Sequence, residues 1–298
     1  LQYLESGSLN VPGQSNCFDF SNNNRRHKSF YQPNTRGWII SEVEKCLRLQ
    51  SIVLWLNGNA GMGKSVITAI LLDKYIQQDM LCAWHFCTHS NPSQNTVLAI
   101  ILSMSGMLEI TIPGYTKALH SQGDAVLQEA KSSDDPMELF KVFFLTPLSE
   151  IDPPKDSNGN PKRMMAFFDA VDEMIYKEMN KMLTLLRDGF PYLPSFILLF
   201  VTSRRNDNIL SALSAKHKPV ELRVDSNEQQ HDILTMLYRI AQEHGNTSFS
   251  WENLEREVES KASLPKGSLD GRLQQLEAPL VASKRVYDKV LDTESRKD

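Results

Sequence analysis

Gly58, Gly63, Lys64 and Ser65 stand at the spacing G-x-x-x-x-G-K-[ST], and that spacing suits a loop that cradles phosphate groups. Glycines let successive backbone N–H groups converge on an anion at φ values that a side chain would forbid. A helix starting near Gly63 adds its free N–H groups and the positive end of its dipole. The candidate nucleotide-contacting residues are therefore Gly58, Asn59, Ala60, Gly61, Met62, Gly63, Lys64, Ser65 and Val66. In such a loop the lysine reaches the β- and γ-phosphates, which makes Lys64 a candidate catalytic residue, and Ser65 offers its hydroxyl to magnesium. Chance produces the pattern in a chain of this length about once in a hundred. The apolar run before it (52–56) and the helix-forming run after it (66–75) reduce that further.

A second constellation is acidic. Residues 169–173 read Asp-Ala-Val-Asp-Glu, directly after the apolar run 164–168. Asp169 suits magnesium, through water or beside Ser65. Glu173 is placed to orient or deprotonate an attacking water, and Asp172 to share that work or assist the metal. Acidic pairs also cap helices, so the motif gains weight only from its place after a strand in a chain with a phosphate loop. A third cluster, Thr202-Ser203-Arg204, follows the apolar run 196–201. Thr202 or Ser203 is a candidate γ-phosphate sensor. Arg204 would either stabilise charge there or pair with a carboxylate.

These clusters work together only if the chain brings them to one place. Short apolar runs at 52–56, 81–87, 164–168, 196–201 and 220–224 alternate with helical patterns at 35–49, 64–78, 91–108 and 134–148, one ending near 187, and one at 207–215. That alternation predicts an α/β fold: a three-layer P-loop NTPase with a parallel sheet flanked by helices, plus a C-terminal helical segment. In such sheets ligands lie beyond the carboxyl ends of the strands, where all three clusters fall. Residues 110–133 are weakly patterned, and 151–162 read as a surface loop. The expected division is a loose N-terminal tail over 1–27, rich in Ser, Asn, Gly and Gln, a P-loop NTPase domain over 28–225, and a helical, lid-like segment over 226–298.

Composition narrows the partners. The formal net charge of −4 gives no general attraction to nucleic acid or an anionic membrane. No apolar run approaches the ~20 residues of a membrane helix, and no signal peptide is visible. Four cysteines, Cys17, Cys46, Cys82 and Cys87, do not make a disulfide scaffold in a chain this long, and a cytoplasmic, reduced protein is expected. His85 lies between Cys82 and Cys87, but alternation turns the two cysteines to opposite faces of a strand, which favours core over metal. The chain begins with Leu1 rather than Met, so a fragment of a larger protein is expected.

The quoted residues resemble the NACHT-type NTPases of the STAND class, signal-transduction relatives of the AAA+ ATPases. The resemblance rests on Leu-Trp-Leu-Asn-Gly-Asn-Ala-Gly-Met-Gly-Lys-Ser at 54–65, on Phe-Phe-Asp-Ala-Val-Asp-Glu at 167–173 and on Phe-Val-Thr-Ser-Arg at 200–204, with support from Trp-His-Phe-Cys at 84–87. It covers roughly 30–240. Arg205 stands where the family often has Pro, and no winged helix is recognisable after about 245. The resemblance implies ATP or ADP with magnesium as cofactors. It further implies a switch in which nucleotide exchange permits oligomerisation and hydrolysis resets it, and partners engaged through flanking domains.

The leading expectation is a nucleotide-switched regulatory NTPase that hydrolyses ATP slowly. The alternatives are a nucleotide-locked, non-catalytic scaffold, and a small-molecule P-loop kinase. The kinase would need an Arg-rich lid, and Arg204 and Arg205 are the only adjacent arginines after the acidic motif.

Overall fold

Residues Val53–Asn57 (β1), Leu81–Phe86 (β2), Met164–Asp169 (β3), Ile197–Ser203 (β4) and Val220–Arg223 (β5) are the short apolar runs, and they form one sheet in the order β2-β3-β4-β1-β5. Every neighbouring pair is parallel. In the computed structural model of the protein, the residues described are 18–31, 35–48, 53–59, 62–216 and 219–223. Every residue of β1 to β4 is buried. Strands buried on both faces require helices on both faces, which is why they read as continuous rather than alternating apolar runs. The result is the three-layer α/β P-loop architecture that the sequence predicts.

In chain order the helices are Ser21–Ser29 (α1), Gly37–Arg48 (α2), Lys64–Gln77 (α3), Val97–Thr111 (α4), Tyr115–Ser121 (α5), Asp124–Ser132 (α6), Pro136–Phe140 (α7), Thr146–Ser149 (α8), Tyr176–Thr184 (α9) and Asp207–Ser214 (α10). A π-turn, Lys141–Leu145, joins α7 to α8, and a second, Leu185–Gly189, extends α9. The expected cap at 134–136 forms: the Asp135 carboxylate accepts the Met137 N–H at 2.9 Å. Parallel register places the carboxyl ends of β1, β3 and β4 side by side, with Asn57 opposite Ser203 and Phe168 opposite Val201.

Three local expectations change. Residues 18–29 do not behave as a loose tail. Phe20 is buried, and α1 lies along α3. Asn24 donates to Asp73 at 2.9 Å, and Lys28 forms an ion pair with the same carboxylate. The helix expected from 91 starts at Val97, because Asn91 and Pro92 open only a 3-10 turn. Its true cap is Thr96, which accepts the Ala99 N–H at 3.1 Å. The weakly patterned stretch 110–133 contains α5 and α6, each preceded by a glycine with positive φ, Gly114 and Gly123. The expected C-terminal helical segment, 226–298, lies outside the described residues.

His85, next to the last residue of β2, is 1% exposed. The rings of Phe18 and Phe20 meet it edge-on, with centroids 5.9 and 5.0 Å away. Burial pushes its imidazole down to about 3, only partly opposed by the Gln94 backbone. The unfolded chain binds a proton at this position near pH 6.5, whereas the folded chain refuses it until about pH 3. Stability therefore falls as pH drops through that window, by at most about 1.4 kcal/mol per pH unit from this one group. In urea unfolding measured from pH 7 to 4, His85→Leu should show a shallower loss of stability than the unsubstituted protein.

Candidate nucleotide-binding site

The phosphate loop connects β1 to α3. Ala60 and Gly61 lie outside the described residues. Gly63 adopts φ +74° and ends the loop in the left-handed region, so that α3 can begin at Lys64. The Gly63 carbonyl accepts the Ile67 N–H, the first bond of the helix, and also the Arg36 Nη1–H at 2.7 Å. Arg36 itself sits at φ +60°, just ahead of α2. The Arg36 guanidinium thus lies against the loop. Lys64 Nζ donates back to the Gly58 and Asn59 carbonyls at 2.8 and 3.0 Å. Burial lowers its basicity, while Asp172, Asp169 and Glu173 raise it and Arg204 opposes them. Val66 is half-buried in the first turn of α3.

Asp169 is the last residue of β3 and is 2% exposed. A carboxylate this deep needs partners, because an unpaired buried charge costs several kcal/mol. Three hydroxyls supply them. Ser65 Oγ donates to Asp169 Oδ2 at 2.6 Å, and Thr68 Oγ1 and Thr202 Oγ1 both donate to Oδ1 at 2.7 Å. Ser65 and Thr68 lie three residues apart on α3 and so share a face. The Ser65 hydroxyl and the Asp169 carboxylate form the hard oxygen donor set that magnesium takes. Thr68 escaped the sequence reading. Its signal was the single helical turn separating it from Ser65.

Thr202 is where the sequence placed it in the chain, but it serves a different partner. It is fully buried, and its hydroxyl spans Asp169 and the Ala170 N–H, which it accepts at 2.9 Å. Its hydroxyl thus supports the Asp169 carboxylate, the candidate metal ligand. Ser203, the alternative sensor, is also buried. It accepts the Trp55 Nε1–H at 2.9 Å and donates to the Arg204 carbonyl. Arg204 takes the structural option: its Nε pairs with Asp172 Oδ2 at 3.0 Å, and its backbone N–H donates to Asp172 Oδ1 at 2.9 Å.

Glu173 is drawn to an element that the sequence did not implicate. Its Oε2 accepts the His89 N–H at 3.2 Å, from the loop that follows β2. That loop is held by Asn95, whose amide bonds both the N–H and the carbonyl of Thr88. Glu178, on α9, accepts the Val97 N–H at 2.7 Å and anchors the start of α4. Four strand-end loops, rather than the three expected, therefore meet at the site.

The family model described as "Nephrocystin 3, N-terminal" matches residues 34–204. This chain belongs to that family. Its fold is that of the NACHT-type P-loop NTPases, and the matched segment carries the phosphate loop, Asp169 to Glu173 and Thr202 to Arg204. Among solved structures, the crystal structure of Cdc6p from Pyrobaculum aerophilum is 15% identical, over 72% of this chain and 52% of that one, with a TM-score of 0.41. The chain thus spans about half the length of that protein. No curated protein matches the sequence. Among the described residues no helix is long and apolar enough to cross a membrane.

A Cβ on Gly63 would lie 2.1 Å from Arg36 Nη1. The guanidinium can move away, but the positive φ still costs an L-residue about 1–2 kcal/mol. Gly63→Ala should therefore destabilise the protein by at least about 1 kcal/mol in urea unfolding. In Arg36→Ala the same glycine substitution should cost less, with the backbone share remaining.

Proposed function

We propose that this domain binds Mg-ATP and hydrolyses it slowly to ADP, as a conformational and oligomerisation switch within a larger signalling protein. The observation that carries the reading is the Asp169 carboxylate, joined to the phosphate loop by the Ser65 hydroxyl at 2.6 Å. Ser65 and Asp169 would hold the metal, which supplies charge neutralisation for the phosphates when bound. Lys64 is within its own loop's reach and would exchange the Gly58 and Asn59 carbonyls for phosphate oxygens. The amides of residues 58–66 and the start of α3 would hold the remaining charge.

Glu173 would act on the water. To do so its carboxylate gives up the His89 N–H and turns to the nucleophile, which it orients or relieves of a proton. Asp172 acts through Arg204, whose guanidinium it holds at the edge of the site. Slow turnover suits a switch, whose states must outlast the signal they carry. Base preference for adenine and the assembly partners come from the family resemblance.

The His89–Glu173 contact also favours a second reading, a nucleotide-locked scaffold whose glutamate stays on the amide. Turnover separates the two. Under the switch reading, magnesium-dependent ATP hydrolysis is measurable, and Glu173→Gln lowers it at least about a hundredfold with ATP binding retained. Normal turnover in that variant would contradict the role given to Glu173. A copurifying nucleotide with no turnover after exchange into ATP would support the scaffold.

A further inference from the structure

The helix α1 has no hydrophobic stripe. Its sequence is Ser-Asn-Asn-Asn-Arg-Arg-His-Lys-Ser. Residues Asn24, His27 and Lys28 stand at helical spacing of three and four, and therefore share one face. Asn24 and Lys28 both grip Asp73 on α3. His27, between them, stacks on Phe86 with the ring centroids 5.8 Å apart and the planes 21° from parallel. Phe86 is the last residue of β2 and lies opposite Asp169 in the sheet register. The helix is thus pinned to the side of the phosphate-loop helix, with its one imidazole at the carboxyl end of the sheet.

The electrostatics name the neighbours of that imidazole. Burial lowers its basicity most; the Asp169 carboxylate then raises it, Arg26 lowers it and Glu173 raises it. His27 therefore lies in the field of both carboxylates that the proposed function assigns to magnesium and to the attacking water. Its stack on Phe86, the register partner of Asp169, places the imidazole at these strand ends, where on the proposed function the metal and the terminal phosphate would lie. An imidazole has an N–H to donate in either protonation state. Arg204 is turned to Asp172 at 3.0 Å, so α1 brings a further hydrogen-bond donor to these strand ends.

We propose that His27 is a specificity-determining residue of the nucleotide site, delivered by α1, that serves the terminal phosphate and so favours a nucleoside triphosphate over a diphosphate. The inference rests on the nucleotide reading above and adds to it an element that precedes the phosphate loop. It also gives α1 a reason to be polar. A helix held by Asp73, Phe86 and the nucleotide's charge needs no apolar face, and its docking then reports which nucleotide is bound.

Competition against a fluorescent nucleotide tests it, with ADP and a non-hydrolysable ATP analogue compared in magnesium. His27→Phe keeps a ring to stack on Phe86 but lacks the donor, and His27→Gln keeps a donor. The Phe variant should weaken the triphosphate about tenfold and the diphosphate by less than about twofold, the scale of one hydrogen bond to a charged acceptor. The Gln variant should recover most of the loss. Equal weakening of both ligands in the Phe variant, or no change in their ratio, would overturn the proposal and reduce His27 to a structural contact. If the unsubstituted protein binds neither nucleotide, the nucleotide reading itself fails. If it binds both and only the ratio stays fixed, only the role of His27 fails.

Discussion

One buried carboxylate sets the terms for the rest of the structure. Asp169 ends β3 almost wholly out of water, where a charge without partners would cost several kcal/mol. Hydrogen bonds to a charged group contribute about 1.5–3 kcal/mol each, so three hydroxyls are enough to make the position tolerable. Each comes from a different constraint. Ser65 is fixed by the loop that precedes it, Thr68 by the helical turn that follows, and Thr202 by the register of β4 beside β3. The same three contacts hold α3, β3 and β4 at one spacing. On the proposed function, supports that are themselves buried and satisfied would hold the carboxylate in place for a metal.

Around that centre the acidic residues divide. Asp172 fixes Arg204, and Glu173 meets a backbone amide from the β2 loop. Asn95 and Glu178 spend their polar atoms holding that loop and the start of α4. The position of Glu173 thus depends on a loop, 87–96, well removed from it in sequence. On the proposed function, a change that frees or tightens the 87–96 loop would alter the rate of hydrolysis without touching the phosphates.

Much of this was legible in the sequence, for reasons that can be named. The phosphate loop is readable because each position has its own chemical demand: a positive φ at Gly63, a long cation at Lys64, a hydroxyl at Ser65. The strands are readable because burial on both faces leaves continuous apolar runs. Helix α1 was not legible, since Ser-Asn-Asn-Asn-Arg-Arg-His-Lys-Ser has no apolar period and is held by Asp73 and Phe86, distant in the chain. Thr202 was read as a phosphate sensor because it follows a strand. Its neighbour across the sheet, which decides where its hydroxyl goes, is a matter of register that no local pattern states. His89 contributes through a backbone N–H, which carries no residue-type signal at all.

The central claim is that Ser65 and Asp169 together form the metal side of a nucleotide site. The most direct measurement is nucleotide affinity with magnesium and with a chelator, in the unsubstituted protein and in Ser65→Ala, which leaves Thr68 and Thr202 on Asp169. The expected result is that magnesium tightens ATP binding to the unsubstituted protein, and that Ser65→Ala removes this gain while keeping its magnesium-free affinity. Equal binding with and without magnesium in the unsubstituted protein, or a full magnesium effect in Ser65→Ala, would contradict it.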